Sequence, residues 1–336
     1  MRQFEYASPA TIDEAIELLG QDGDGATRPL AGGTDLLTLM KADIATPSRV
    51  LNIKQVEGLK AGVEQSQDGL TLHALTSLTE IETNPAIRQR YPLLAEAAEV
   101  AATPQLRNMA TLGGNLLQRP RCWYFRNPRF HCWLKGGEEC QARDGENDRH
   151  ALFGDSPCVA VHPSDLAPAL AALDAHVRLR GQHGERTLPI AEFFALPTEE
   201  RRTETMVQGD ELLLSMHIPP PREGTRSTYL KAMDRKVWAF ALVGVAALVR
   251  LAPDGRRIEE ARLVLGGVAP IPWRAQAAAQ ELLGAELSED LFNRAAEAAL
   301  AGAEPLEHNG YKVPLAKALI RRALQTLTQG ASDHAG

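Results

Sequence analysis

Cys122, Cys132, Cys140 and Cys158 are the chain's four cysteines, and they stand within 37 of its 336 residues. Thiolates bind soft metals, build iron–sulfur clusters or pair as disulfides. The spacing is Cys-x9-Cys-x7-Cys-x17-Cys, without the C-x2-C pairs of zinc ribbons or bacterial ferredoxins. Spacing alone therefore leaves three readings open: buried structural thiols, a zinc site or disulfide pair, and an iron–sulfur cluster. Around them stand Arg119, Arg121, Arg126, Arg129 and Lys135. These cations would offset the negative charge of a four-thiolate site. Trp123, Tyr124, Phe125, Phe130 and Trp133 would exclude water from it, or meet a partner protein as a docking surface. His131 beside Cys132 suits a hydrogen-bond donor better than a ligand, since four sulfurs are already available.

Two glycine loops carry a second kind of chemistry. PLAGGTDLL spans Pro29–Leu37, and TLGGNLLQ spans Thr111–Gln118. Paired glycines before a helix let the backbone approach a ligand and offer amides to an anion, commonly a phosphate. Neither loop is G-x-G-x-x-G or G-x-x-x-x-G-K-[ST], so the Rossmann and P-loop readings fail. One such loop is equally well a turn with a helix cap. Two together suit the two phosphates of a dinucleotide. The third pair, Gly266-Gly267, reads as a turn.

The elements that would position these loops run as follows. Phe4–Tyr6 is a short strand, Ser8-Pro9 opens a helix over Thr11–Gly20, Thr27–Ala31 leads into the first loop, Asp35–Lys41 is helical and Arg49–Ile53 is extended. A second unit starts with the strand Gly69–Ala74, has helices over Ser77–Arg90 and Leu93–Ala101, and continues through the cysteine segment. Ser164-Asp165 caps a helix over Asp165–Ala175, followed by strands at His176–Arg180 and Glu211–Ile218. Pro219-Pro220-Pro221 removes three amide donors and marks a boundary. Beyond it come strands Thr228–Asp234, Ala239–Leu251 and Glu260–Gly266, then helices Arg274–Leu283, Glu289–Ala301 and Pro314–Leu327. Strands followed by helices suggest an α+β C-terminal domain.

Composition bounds the function. The chain is 44% hydrophobic and 24% charged, with a net charge of −7 that argues against nucleic acid as partner. MRQFEYASPATIDEAIELL has no apolar export core, and no apolar run reaches bilayer length. Four cysteines in such a chain favour metal ligands or free thiols over a disulfide framework.

PLAGGTDLL, RNMATLGGN, HPSDLAPALAAL, YLKAMDRKVWAFALVGVAAL and LGGVAPIPWRA occur in this order along the chain. Together they resemble the FAD-binding medium subunit of the molybdenum hydroxylases, which include xanthine dehydrogenases, aldehyde oxidoreductases and carbon monoxide dehydrogenases. The resemblance implies an α+β, vanillyl-alcohol-oxidase-like FAD-binding fold. It has two α/β subdomains, residues 1–60 and 61–222, and an α+β C-terminal domain over 223–330. It implies FAD held by Arg28, Pro29, Leu30, Ala31, Gly32, Gly33, Thr34, Asp35 and Leu36 on one side. Thr111, Leu112, Gly113, Gly114 and Asn115 would lie on the other. Asp165 matches the family's acidic flavin contact, Lys231 the basic position near the ring, and Leu213 or Leu214 would line the ring. Read as residues alone, Asp165 is a helix cap and Lys231 a solvated strand position.

In most relatives the second glycine loop runs almost directly into Asp165, whereas here 49 residues intervene. The cysteine segment, about 118–160, is thus an insertion on the flavin domain. Some aldehyde oxidoreductases of the family carry a four-cysteine insertion here with a [4Fe–4S] cluster. The resemblance implies the same cluster on Cys122, Cys132, Cys140 and Cys158, as a graft that can be lost without losing FAD. Partners implied are a molybdenum-cofactor large subunit, a [2Fe–2S] small subunit and an external acceptor, oxygen or ferredoxin rather than NAD. The competing expectation is a zinc-binding, catalytically silent assembly or regulatory protein. The expected location is the cytoplasm, or the periplasm by co-export with a signal-bearing partner.

Overall fold

The computed structural model describes residues 1–21 and 25–329. Three sheets organise them. In the first, β1 (Glu5–Ala7), β2 (Thr27–Leu30) and β3 (Arg49–Asn52) pair in parallel, in the order β1-β3-β2. Parallel neighbours need crossover helices, and Ile12–Gln21 and Leu36–Lys41 supply them. Ile12, Ala15, Ile16 and Leu19 form the buried stripe of the first helix. That helix does not open at Ser8-Pro9. Thr11 Oγ1 accepts from the Glu14 amide at 3.2 Å, and Glu14 Oε2 accepts from the Ala10 amide at 2.7 Å. This capping sets Thr11 as the cap and Ile12 as the first helical residue, three beyond the proline.

The second sheet is antiparallel, with β4 (Val63–Ser66), β5 (Gly69–His73), β6 (His176–Gly181), β7 (Gly184–Pro189) and β8 (Leu212–Ile218) in the order β4-β5-β8-β6-β7. The long excursion between β5 and β6 contains the second glycine loop, the cysteine segment and the fully buried helix Leu166–Ala172. β4 and β7 escape the hydrophobic pattern because VEQS and GERTLP face solvent at the two edges of the sheet.

The third sheet joins β9 (Thr225–Ala232), β10 (Val243–Leu251), β11 (Ile258–Gly266) and β12 (Trp273–Arg274) in antiparallel order β12-β11-β10-β9. β10 is buried from Val243 to Val249, so it reads as a continuous apolar run. It begins at Val243, four residues after the expected Ala239. Residues 233–242 instead form a loop in which Trp238 adopts φ +55°. Helices Gln276–Leu282, Glu289–Ala299 and Lys312–Thr328 cover this sheet. The expected domain end at residue 330 lies just outside the described residues.

A buried cation ties the cysteine segment to this last domain. Lys312 is fully buried; its Nζ donates to the His150 carbonyl at 2.9 Å and the Gly267 carbonyl at 2.8 Å. Burial pushes its pKa down to about 7, with the Asp148 charge opposing. The unfolded chain therefore binds more protons than the native one between about pH 7 and the ordinary lysine value near about 10.4. Lys312 should make stability rise with pH across that window and add no slope below it. Urea midpoints of wild type and Lys312→Met from pH 7 to 9 should show the wild type gaining roughly 1 kcal/mol more per pH unit than the variant. Parallel curves would mean that Lys312 keeps its proton when folded and would contradict the lowered pKa.

Candidate functional site

The two glycine loops meet backbone to backbone. A Cβ on Gly32 would stand 1.8 Å from the Met109 carbonyl oxygen and 3.3 Å from Ala110 Cα. The first loop thus rests on the segment that enters the second. Only glycine permits this approach. Gly33 follows at φ +71°, a left-handed conformation that turns the chain into the helix Leu36–Lys41. Among the described residues, the amides of Gly32, Gly33, Thr34 and Asp35 find no protein acceptor. A run of unpaired amides at a glycine turn is an anion-binding concavity, so these residues fit the pyrophosphate of FAD.

The second loop is more tightly held. Thr111 Oγ1 accepts from the Gly114 amide at 3.2 Å and caps the short helix Leu112–Leu116. The Leu112 and Gly113 amides donate to the Thr76 and Ala74 carbonyls. Ala74 in turn donates to the carbonyl of Leu214. Leu213 and Leu214 on β8 are both buried. Asn115 Oδ1 accepts from Ser164 Oγ at 2.5 Å, which joins the loop to the Ser164-Asp165 turn. Arg28, Pro29 and Leu30 lie on β2, and Ala31 leads from it into the first loop. The Ala31 carbonyl accepts from Lys54 Nζ at 3.4 Å.

Asp165 is not the side-chain cap that its place predicts. Ser164 Oγ accepts from the Ala167 amide at 3.0 Å and does that work, while Asp165 makes no cap hydrogen bond. Its carboxylate instead accepts from Lys231 Nζ at 2.8 Å and Tyr229 Oη at 2.9 Å. Lys231 also donates to the Val100 carbonyl at 3.0 Å. The Lys231 side chain is only 1% exposed, so it is no solvated strand residue. Burial raises the Asp165 pKa, although the Lys231 charge pulls against it. Tyr229 escaped the sequence reading; its signal was position, two residues before Lys231 on the same face of β9.

Asp35 also has partners that spacing alone did not reveal. Its carboxylate accepts from Arg121 at 2.5 Å, Arg126 at 2.8 Å and the Arg119 amide at 2.9 Å. Burial would raise its pKa, but the Arg121 and Arg126 charges outweigh burial and hold it below the ordinary carboxylate value. Two of the arginines expected to neutralise a cluster are thus committed to the first glycine loop.

All four cysteines are free thiols. They share one small apolar core with Tyr124, Phe125, Trp133 and Leu134. Among the described residues, no group of three or more His, Cys, Asp or Glu side chains is disposed to hold a metal ion. The expected four-thiolate ligand set is therefore not preformed among the described residues. The Cys158 thiol donates to Cys140, which pulls Cys140 down to about 6 and pushes Cys158 up. Burial pushes Cys122 up to about 11. His150 Nε2 lies 3.2 Å from Cys122 Sγ, a contact made by a histidine that the sequence reading passed over in favour of the exposed His131. A cavity of about 230 Å³ is lined by Cys122, Trp123 and His150 of the segment together with Asp165, Tyr229 and Gly267.

Two family models account for nearly the whole chain. The FAD binding domain in molybdopterin dehydrogenase matches residues 2–221, and the CO dehydrogenase flavoprotein C-terminal domain matches residues 228–327. The chain belongs to this family of molybdopterin-dehydrogenase flavoproteins. It is 38% identical to the aldehyde oxidoreductase FAD-binding subunit PaoB of Escherichia coli, over 96% of this chain and 98% of that one. It is 30% identical to the carbon monoxide dehydrogenase medium chain of Hydrogenophaga pseudoflava, over 96% of each. The solved carbon monoxide dehydrogenase of that organism superposes with a TM-score of 0.76 at 29% identity, over 96% of both chains. The fold expected from the resemblance, an FAD-binding portion followed by an α+β C-terminal domain, is the one observed.

Two outcomes follow from this geometry. Gly32→Ala must push the Met109 backbone away, so FAD retention, read as flavin absorbance per protein, should fall at least about tenfold, as for a lost anion cradle. Unchanged retention would mean that the loops do not form one site. For the buried pair, Lys231→Met leaves an uncompensated carboxylate and should cost roughly 3–5 kcal/mol in denaturant unfolding, whereas Asp165→Asn with Lys231→Met should cost less. An additive double variant would refute the pairing.

Proposed function

We propose that the chain is the FAD-carrying electron-transfer subunit of a heterotrimeric molybdenum aldehyde- or xanthine-type oxidoreductase. The observation that carries the reading is the meeting of the two glycine loops, with four unpaired amides at their junction. The unpaired amides of Gly32–Asp35 would hold the pyrophosphate, and Gly113 and Gly114 would face it. Asp165, Tyr229 and Lys231 would set a fixed buried charge beside Val100, with Leu213 and Leu214 packed behind. Bound FAD supplies a centre that accepts electrons singly and releases them in pairs. This chain's residues bind and orient it, and keep water from the buried ion pair.

In this reading a molybdenum-containing large subunit oxidises the substrate and a [2Fe–2S] small subunit relays electrons to this chain. Relatives named as medium chains and FAD-binding subunits support that division of labour. Oxygen or a ferredoxin is the proposed acceptor. The assembly is cytoplasmic, or periplasmic by co-export with a signal-bearing partner. No helix among the described residues is long and apolar enough to cross a membrane.

We further propose that Cys122, Cys132, Cys140 and Cys158 hold a [4Fe–4S] cluster. Support comes from the donor set: four free thiols in one apolar pocket. The silent regulatory alternative is disfavoured by intact glycine loops. Purified chain reconstituted with FAD should show the visible bands of bound flavin, and anaerobically prepared chain should carry about four iron with matching sulfide. Cys132→Ala should abolish the iron. No flavin bands would reject the FAD reading, and stoichiometric zinc without iron would reject the cluster.

A further inference from the structure

Arg121 immediately precedes Cys122, and Arg126 closes the short helix that Cys122 opens. Both guanidiniums end on the same carboxylate oxygen of Asp35, and the Arg119 amide takes the other oxygen. Asp35 is the last residue of the unpaired-amide run and the N-terminal neighbour of the helix Leu36–Lys41. The Asp35 side chain is 14% exposed and the Arg126 side chain 18%. Arg126 is braced further by donating to the Pro120 and Arg119 carbonyls, both at 2.8 Å. Arg119 in turn pairs with the nearly buried Glu204 at 3.2 Å. The carboxylate is therefore a junction, with the phosphate-facing loop on one side and the entry to the cysteine segment on the other.

We propose that Asp35 is a positioning residue that couples flavin occupancy to the order of the cysteine segment. The proposal rests on the reading that the Gly32–Asp35 loop holds FAD, and it replaces the picture of an independent graft. Asp35 heads the loop in a single conformation only while Arg121 and Arg126 hold it. The same two arginines fix the backbone on either side of Cys122. Ordering either side pre-organises the other, and the coupling must be reciprocal. FAD should lower the equilibrium exposure of Cys122 by the same factor by which the ordered segment raises FAD affinity.

The test uses the full chain stripped of metal by a chelator, so that thiol labelling is open to measurement. Alkylation of Cys122 is followed by peptide mass spectrometry with and without saturating FAD, and FAD affinity is measured by flavin fluorescence. In the wild type FAD should slow Cys122 labelling about tenfold, within the usual range of coupling between sites. Asp35→Asn, Arg121→Gln and the double variant should each bind FAD about tenfold more weakly, with no further loss in the double, and should lose the FAD effect on labelling. Arg121→Lys should restore part of both. A labelling rate unchanged within twofold in wild type that binds FAD overturns the proposal. That arm stands even if a variant fails to fold. Wild type that binds no FAD at all overturns instead the FAD reading beneath it.

Discussion

The contact on which the site depends is the one between Gly32 and the Met109 carbonyl. It brings a loop of the small parallel sheet onto a loop that hangs from the antiparallel sheet. Neither loop is an unusual structure by itself. Their apposition leaves the amides of Gly32 to Asp35 without protein acceptors, and unpaired amides call for an anion. The rest of the architecture serves that apposition. Thr111 caps the second loop, Ser164 clamps Asn115, and the Leu214 carbonyl holds Ala74 beneath it.

Charge is distributed around this junction in two knots, one buried and one half-buried. Asp165 with Lys231 and Tyr229 lies toward the C-terminal sheet, and Asp35 with Arg121 and Arg126 lies toward the cysteine segment. Buried pairs of this kind add little net stability, but breaking one is costly, so they fix geometry. Each knot joins elements distant in sequence. The first links β9 to the helix Leu166–Ala172, and the second links the first glycine loop to the entry of the cysteine segment. Lys312 does similar work through carbonyls, holding His150 against Gly267.

Much of this was legible in the chain. The glycine loops, the strand–helix alternation and the triple-proline boundary are local features, and local chemistry sets them. The motifs that resembled the family named its cofactor, and the family models agree on the FAD-binding domain. What escaped was relational. Nothing local to Asp35 says that arginines more than eighty residues away will close on it. The cap position of Asp165 suggested the wrong role because Ser164, one residue earlier, reaches the helix amide first. β4 and β7 were invisible because edge strands facing water carry no apolar alternation. The cysteines show the opposite case: their clustering was evident, while a gathered ligand set is not present among the described residues.

Amide hydrogen exchange of the full chain, with and without FAD, tests the central claim most directly. The account predicts that FAD protects the open amides of Gly32 to Asp35 most, and adds protection at Gly113 and Gly114, whose amides already donate to the Ala74 carbonyl and the Thr111 hydroxyl. Protection of one loop alone, or of neither while FAD binds, would contradict it.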